Sequence, residues 1–239
     1  MAQEVFKRYE KKYILTRSQF QRLMAYFSGR MTMDHYGKHK ICNIYYDTLD
    51  YELIRTSLEK PEYKEKVRLR SYGIPSGGDT VFLELKKKFG GVVYKRRAAM
   101  NLNEAEDYLK EHCKPRQDSQ ILRELDYTIR RYHLIPAVYL SYDRTAYYGN
   151  ENSELRVTFD TDITGRSYAL DLERGSFGVN VLDQDLVLME VKIPEAMPVW
   201  MGALFSELGI FPVSFSKYGT YYKNYILKHR NETGGSVCA

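Results

Sequence analysis

The sequence predicts an α+β fold built on a closed antiparallel β-barrel of about eight strands, with a basic interior and flanking amphipathic helices. Three observations carry that expectation. First, short segments set Lys, Arg and an occasional Glu at alternate positions with apolar residues between them, most clearly in Lys66-Val67-Arg68-Leu69-Arg70, Glu84-Leu85-Lys86 and Glu190-Val191-Lys192. Successive side chains of a strand point to opposite faces, so each run builds one basic face and one apolar face. Second, Gly90-Gly91 separates two such runs and reads as a hairpin turn, because glycine accepts positive φ. Third, the polar faces hold too much Lys and Arg for an ordinary core. Closing the sheet removes its edges and gives those faces an interior, while the apolar faces pack outward on helices. The competing arrangement is a sandwich whose charged faces meet water.

In chain order, Phe6 to Leu15 reads as the first strand, and Thr16 or Ser18 caps a helix reaching about Phe27. Ile41 to Asp47 is rich in strand formers, and Thr48 to Leu58 reads as a short helical return. Lys64 to Tyr72 is a strand that ends in the turn-forming run Gly73 to Asp79. Phe82 to Phe89 and Val92 to Ala99 form the hairpin. A helix starts at Asn101 or Asn103 and reaches about Cys113; a second covers Ser119 to Tyr132, with Ile121, Leu122, Leu125 and Ile129 near helical spacing. Val138 to Tyr147, Leu155 to Thr161 and Leu186 to Ile193 are further strands. Pro194 and Pro198 break into a helix through Leu208, with Trp200, Leu204 and Leu208 as its apolar stripe. A last helix runs from Lys217 to His229. Residues 1–230 are expected to form a single domain and 231–239 a disordered tail.

At 239 residues with 44% hydrophobic content, the chain can bury a sizeable core. Its formal charge is only +5. The alternating faces carry thirteen bases, Arg8, Lys12, Lys66, Arg68, Arg70, Lys86, Lys88, Lys95, Arg97, Arg144, Arg156, Lys192 and Lys217, against four acids, Glu10, Glu84, Asp160 and Glu190. The remaining 23 bases face 27 acids. The excess therefore sits on strands and not in a tail, which points to a polyanion site and away from a loose nucleic-acid-binding arm. Recognisable single-strand-binding motifs are missing, so no nucleic-acid partner is expected. Cys42, Cys113 and Cys238 form no CxxC pair and no disulfide framework, which suits a reducing, cytoplasmic setting. No stretch approaches the roughly 20 apolar residues that cross a bilayer. The chain is expected to lack a membrane segment and a preceding regulatory domain; a separate membrane partner remains compatible with it.

A family resemblance rests on eight runs in order: Arg8-Tyr9-Glu10-Lys11-Lys12-Tyr13, Tyr45-Tyr46-Asp47, Arg68-Leu69-Arg70-Ser71-Tyr72-Gly73, Glu84-Leu85-Lys86, Arg144-Thr145-Ala146-Tyr147, Arg156-Val157-Thr158-Phe159-Asp160, Glu190-Val191-Lys192 and Ser216-Lys217-Tyr218. From about Phe6 to Tyr225 the chain resembles the VTC domain, the catalytic domain of the vacuolar transporter chaperone polyphosphate polymerase, within the triphosphate tunnel metalloenzyme superfamily. The resemblance implies a tunnel with inward-pointing basic residues and transfer of the terminal phosphoryl group of ATP to a growing polyphosphate chain. It implies phosphate-handling catalytic roles for Arg68, Arg70, Lys86, Lys95, Arg156 and Lys217 and a metal-binding role for Glu190. Lys12 falls on a phosphate-binding position of the family; Lys66, Arg144, Lys192 and Arg8 complete the expected substrate-binding set.

Such residues suit the chemistry. Phosphoryl transfer needs alignment and neutralisation of oxygens more than covalent help from the protein. Arg offers bidentate contacts to phosphate and Lys a compact charge, so Arg68 and Arg70 could grip one phosphate group from one face. Mn²⁺ or Mg²⁺ takes few protein carboxylates and completes its shell with phosphate oxygens and water, so Glu190 could anchor it, helped by Glu84 or Glu10. The wider superfamily often carries ExExK on strand one. Here Arg8, Glu10 and Lys12 stand at those places, which weakens a hydrolase or cyclase reading.

Plainer roles compete. Glu10, Glu84 and Glu190 could be partners for neighbouring cations, and Lys88 and Arg97 solvated charges near strand ends. Arg144 could support the barrel, and the Trp200 stripe reads as core. His35 and His39 are four apart but lie in a polar stretch without a certain helix, so a metal pair is not expected there. No GxxxxGK[ST] loop occurs. Besides the polymerase, an inorganic or nucleoside triphosphatase of the same fold and a non-catalytic polyphosphate-binding module stay open.

Overall fold

A computed structural model describes residues 9–90, 92–111, 113, 115, 118–194 and 196–229. Arg8, Cys238 and the expected tail at 231–239 lie outside the described residues. The elements follow as β1 (Tyr9–Thr16), α1 (Arg17–Phe27), β2 (Met31–Met33), β3 (His39–Asp47), α2 (Glu52–Leu58), β4 (Tyr63–Tyr72), β5 (Thr80–Phe89), β6 (Val92–Asn101), α3 (Leu102–Glu111), α4 (Gln120–Tyr132), β7 (Ile135–Gly149), β8 (Arg156–Arg166), β9 (Val179–Asn180), β10 (Leu186–Ile193), α5 (Val199–Glu207) and α6 (Lys217–Tyr221). A π-helical segment, Tyr222–Leu227, continues α6.

Hydrogen bonds join the strands in the order β1-β10-β8-β7-β3-β4-β5-β6, with β2 on β7 and β9 on β8. The pairs β1–β10, β10–β8, β3–β4, β4–β5 and β5–β6 are antiparallel. Because β1 and β6 end the order, hydrogen bonds do not close the sheet. Of the expected fold, the structure shows a mixed α/β arrangement with a large antiparallel sheet and six α-helices among the described residues; closure of the sheet into a barrel is not shown by its hydrogen bonds. Alternation tells each strand which face to bury, but closure depends on tilt and stagger, which alternation does not encode. The short strands β2 and β9 were not expected, since three and two residues cannot display a period.

The chain divides into two compact units. The first comprises residues up to His39 with Tyr142–Ile163 and Leu182–Phe215. In it, one face of β1, β8 and β10 buries Tyr13, Leu15, Val157, Phe159, Val187, Met189 and Val191 against Leu23 and Phe27 of α1 and Met201, Leu204 and Phe205 of α5. Trp200 packs on this cluster and Leu204 and Leu208 lie within it, so the stripe is core, as its spacing suggested. A capping box starts α1: the Thr16 side chain accepts from Gln19 N, and the Gln19 side chain accepts from Thr16 N at 2.9 Å.

The second unit comprises Lys40–Ser141, Thr164–Val181 and the residues from Ser216 on. Here Val67, Leu69, Leu83 and Leu85 are at most 2% exposed and pack with Leu102, Ala105, Leu122, Leu125 and Ile129 of α3 and α4. Each such burial is worth about 1.5–3 kcal/mol, and a register slip of one residue would forfeit all of them together. Phe89 pairs with Val92 across the hairpin, and Gly90 has φ +54°, the left-handed conformation that selects glycine there. Ser119 caps α4 by accepting from Leu122 N. Among the described residues no helix is long and apolar enough to cross a membrane.

Candidate active site

The second unit assembles its cations in rows across neighbouring strands. In β3, β4, β5 and β6, Tyr45 faces Arg68, Arg68 faces Glu84, and Glu84 faces Arg97. One row along, Lys66, Lys86 and Lys95 face one another; on the other side Asn43, Arg70, Phe82 and Ala99 do so. Three ammonium groups in one row repel each other, an arrangement that a bound polyanion would relieve.

Glu84 is the hub of this cluster. Its side chain is 2% exposed, and its Oε2 accepts from Arg68 Nε at 2.7 Å. Arg70 Nε lies 3.8 Å from the same oxygen. Oε1 accepts from Arg97 Nε at 2.7 Å and meets Lys95 Nζ at 2.8 Å. Burial alone would raise the Glu84 carboxyl, but the charges of Arg68, Arg70 and Lys95 outweigh it and hold the group well below the usual carboxylate range. Arg70 Nε also donates to Asn43 Oδ1 at 3.0 Å.

Tyr45 belongs to the same cluster, and Arg68 Nη1 donates to its phenol oxygen at 3.1 Å. Burial by itself would raise the phenol; Arg68, Lys66 and Arg70 outweigh it and lower Tyr45 to about 8. That value lies below the ordinary phenol value of about 10, so ionisation favours the folded state as pH rises through 8. A near-ultraviolet absorbance titration should show one phenol ionising near pH 8 that disappears in Tyr45→Phe, with inorganic tripolyphosphate moving it upward. A wild-type protein whose phenols all titrate in the ordinary range would refute this electrostatic picture.

The short helix α6 adds Lys217 to this unit. Its Ser216 cap accepts from Gly219 N and from Lys66 Nζ at 3.4 Å. The buried Asp47 carboxylate ties α6 to β3, accepting from the Tyr218 hydroxyl at 2.8 Å and from the backbone N–H groups of Thr48, Leu53 and Ile54. Tyr45 and Tyr218 stack with ring centroids 4.9 Å apart. Lys217 is half-buried at the first position of this tethered helix.

In the first unit Lys12 faces Glu190, which faces Thr158; in the adjoining row Glu10, Lys192 and Arg156 face one another. Lys12 Nζ lies 3.4 Å from Glu190 Oε1 and 3.9 Å from Glu10, and donates to Phe215 O at 3.1 Å. Arg144 makes a bidentate pair with the buried Asp160, Nε to Oδ1 at 2.6 Å and Nη2 to Oδ2 at 2.8 Å, and its Nη2 reaches within 3.7 Å of Glu190 Oε2. Burial opposes the Arg144 charge, but Tyr142, Asp160 and Glu190 overcome that and push its pKa up. Arg144 therefore lies between the buried Asp160 and Glu190.

The expected residues thus gather within each unit: Lys66, Arg68, Arg70, Lys86 and Lys95 around Glu84, with Lys217 on the helix whose cap meets Lys66, and Lys12, Glu10, Arg144, Arg156 and Lys192 beside Glu190. Arg97 proves to be a Glu84 ligand and not a strand-end charge. Tyr45 and Asp47 were overlooked as site residues, although Asn43, Tyr45 and Asp47 alternate with Cys42, Ile44 and Tyr46, a signal of the same kind as the basic runs. Among the described residues no group of three or more His, Cys, Asp or Glu converges as a metal site.

The profile of the VTC domain matches residues 7–226. Two solved structures share the fold. A Bacillus halodurans protein assigned provisionally as an adenylate cyclase is 15% identical with a TM-score of 0.54, over 92% of this chain and 95% of the other. A Hippeastrum protein assigned provisionally as an adenylyl cyclase, and described as having a dominant triphosphatase activity, is 16% identical with a TM-score of 0.56, over 90% of this chain and 94% of the other.

Proposed function

This chain belongs to the VTC domain family, and on that premise we propose that it is a metal-dependent polyphosphate polymerase that moves the terminal phosphoryl group of ATP to a growing polyphosphate chain. The observation that carries the reading is the row of cations on one face of β4, β5 and β6, ordered by a single buried carboxylate. Glu84 holds Arg68, Arg70, Lys95 and Arg97 in fixed positions, so this cationic face is preorganised for a polyanion and little reorganisation is needed at reaction. A terminal oxygen of the acceptor phosphate attacks the γ-phosphorus of ATP while the bond from that phosphorus to the β,γ-bridging oxygen breaks, leaving ADP. Arg68, Arg70, Lys66, Lys86 and Lys95 would together neutralise charge on the triphosphate and hold its successive phosphates. Arg156, Lys192, Lys12 and Lys217 serve as further phosphate contacts in this proposal. The closed tunnel belongs to it too, on the strength of the family.

Glu190 with Glu10 would hold Mn²⁺ or Mg²⁺. Both are hard oxygen donors of the right type, and their small number suits ions that keep water and phosphate oxygens in their shell. The metal would supply charge neutralisation on the triphosphate. Glu84, saturated by cations, is better suited to ordering Arg and Lys than to binding metal. The unpaired Cys42 and Cys113 support a reducing, cytoplasmic setting.

Hydrolysis of a triphosphate is the second reading, supported by Glu10 and Lys12, which keep part of the superfamily's strand-one pattern and lie together beside Glu190. One incubation decides between them. Purified protein with ATP and Mn²⁺ or Mg²⁺ should yield ADP and acid-labile phosphate polymer. Orthophosphate without polymer would establish the triphosphatase instead, and metal-independent polyphosphate binding without turnover would leave a binding module.

A further inference from the structure

The cation rows of the second unit end in aromatic rings. On β4 the face of Lys66, Arg68 and Arg70 continues to Tyr72, and on β5 the residue facing Arg70 is Phe82. Tyr72 and Phe82 meet edge to face, with centroids 5.6 Å apart at 77°. The Arg97 guanidinium lies 4.5 Å from the Phe82 centroid and donates to the Tyr72 hydroxyl at 3.3 Å while holding Glu84. Tyr72 is 50% exposed, Phe82 is half-buried, and neither belongs to the apolar core of the unit. Beyond Phe82 the facing residue on β6 is Ala99, exposed and small.

In the opposite direction β4 and β5 present cations: Lys66 and Lys86, with Lys95 facing Lys86 on β6, then Lys64 facing Lys88, with Val93 beyond on β6. Along β4 and β5 the face therefore has a polarity, with Tyr72 and Phe82 at one end and Lys64, Lys66, Lys86 and Lys88 at the other. A nucleoside triphosphate has the same polarity, a flat base at one end and a run of charged phosphates at the other. From Phe82 to Lys86 is four residues, about 14 Å at the rise of an antiparallel strand, the scale of an extended nucleotide.

We propose that Phe82 and Tyr72 form a base-stacking platform, so that a nucleoside triphosphate lies with its base at this end and its phosphates toward Lys66, Lys86 and Lys95. The placement rests on the triphosphate reading of the cation rows and deepens it by naming where the base of the nucleotide sits and the direction in which its phosphates run. The acceptor chain then extends toward Lys64 and Lys88, away from the rings. Arg97 links the two parts, since one guanidinium contacts both the platform and the Glu84 hub. Stacking reads a π-face and not base edges, so ATP and GTP should bind comparably.

Calorimetric binding of ATP and of inorganic tripolyphosphate to the full chain, without divalent metal so that no turnover intrudes, tests the placement. Phe82→Ala should weaken ATP by about 5- to 150-fold, the ~1–3 kcal/mol of one base stack at 1.4 kcal/mol per tenfold, and leave tripolyphosphate affinity unchanged. Phe82→Trp should restore ATP binding, and retained tripolyphosphate binding shows that the variants are folded. Equal weakening of both ligands, or of neither, would overturn the platform while leaving the triphosphate site standing. A wild-type protein that binds neither ligand would overturn the triphosphate reading and the platform with it.

Discussion

Glu190→Gln should abolish nucleotide turnover at ordinary metal concentrations, a loss of at least about 10²-fold, the scale seen when a group stabilising transition-state charge or supporting a catalytic metal is removed. The substitution keeps the shape and a hydrogen-bonding oxygen but removes the negative charge that a divalent cation needs. The surroundings make the outcome informative. Glu190 shares its oxygens with Lys12 at 3.4 Å and Arg144 at 3.7 Å, and Arg144 remains anchored by its bidentate pair with Asp160 when Glu190 changes. The fold should survive, and metal-free binding of tripolyphosphate should hold or improve, because one negative charge leaves a basic environment. A metal titration separates a ligand from an ion-pair partner. If Glu190 binds the ion, the variant needs far more Mn²⁺ or Mg²⁺ for any residual activity. If Glu190 only restrains Lys12 and Arg144, the metal dependence stays at the wild-type value, and that result would remove Glu190 from the metal site.

How much of this was legible in the sequence depends on the range of each interaction. Alternation within a strand is local, and Val67, Leu69, Leu83 and Leu85 lie buried as alternation required, with Lys66, Arg68, Arg70, Glu84 and Lys86 on the other face. The two-glycine turn also carried more than it was asked for. With Phe89 opposite Val92, counting away from the turn puts Lys86 opposite Lys95 and Glu84 opposite Arg97, so half of the Glu84 hub was within reach. The other half, Arg68 against Glu84, depends on the register between β4 and β5, which Gly73 to Asp79 connects without a fixed turn type. The facing of Lys12 and Glu190 is less accessible still, since β1 and β10 stand at opposite ends of the chain. Closure of the sheet and the division into two units are properties of such distant pairings, and single-strand patterns are silent on both.

Glu84→Gln should cost the folded state about 3–5 kcal/mol, the range for removing one partner from a buried charge network. Four cations converge on a carboxylate that is 2% exposed, and a neutral amide leaves them facing one another with part of their desolvation uncompensated. The midpoint of urea unfolding should fall accordingly. Two further measurements distinguish loss of this network from general damage. Tripolyphosphate should stabilise the variant more than the wild type, because a bound polyanion supplies the missing negative charge and stabilisation grows with affinity as RT ln(1 + [L]/Kd). The pH dependence should also change. The Glu84 carboxyl has its folded-state pKa depressed below its unfolded value of about 4.3, so its contribution is fully present above that value and is lost as pH falls toward the folded pKa. Wild-type stability should decline through this acid range, and Glu84→Gln should lack that part of the slope. Equal stability of the two proteins at neutral pH with the same acid profile would show that Arg68, Arg70, Lys95 and Arg97 do not depend on Glu84. The preorganised cation face would then have to be held by other contacts, beginning with Arg68 to Tyr45 and Arg70 to Asn43.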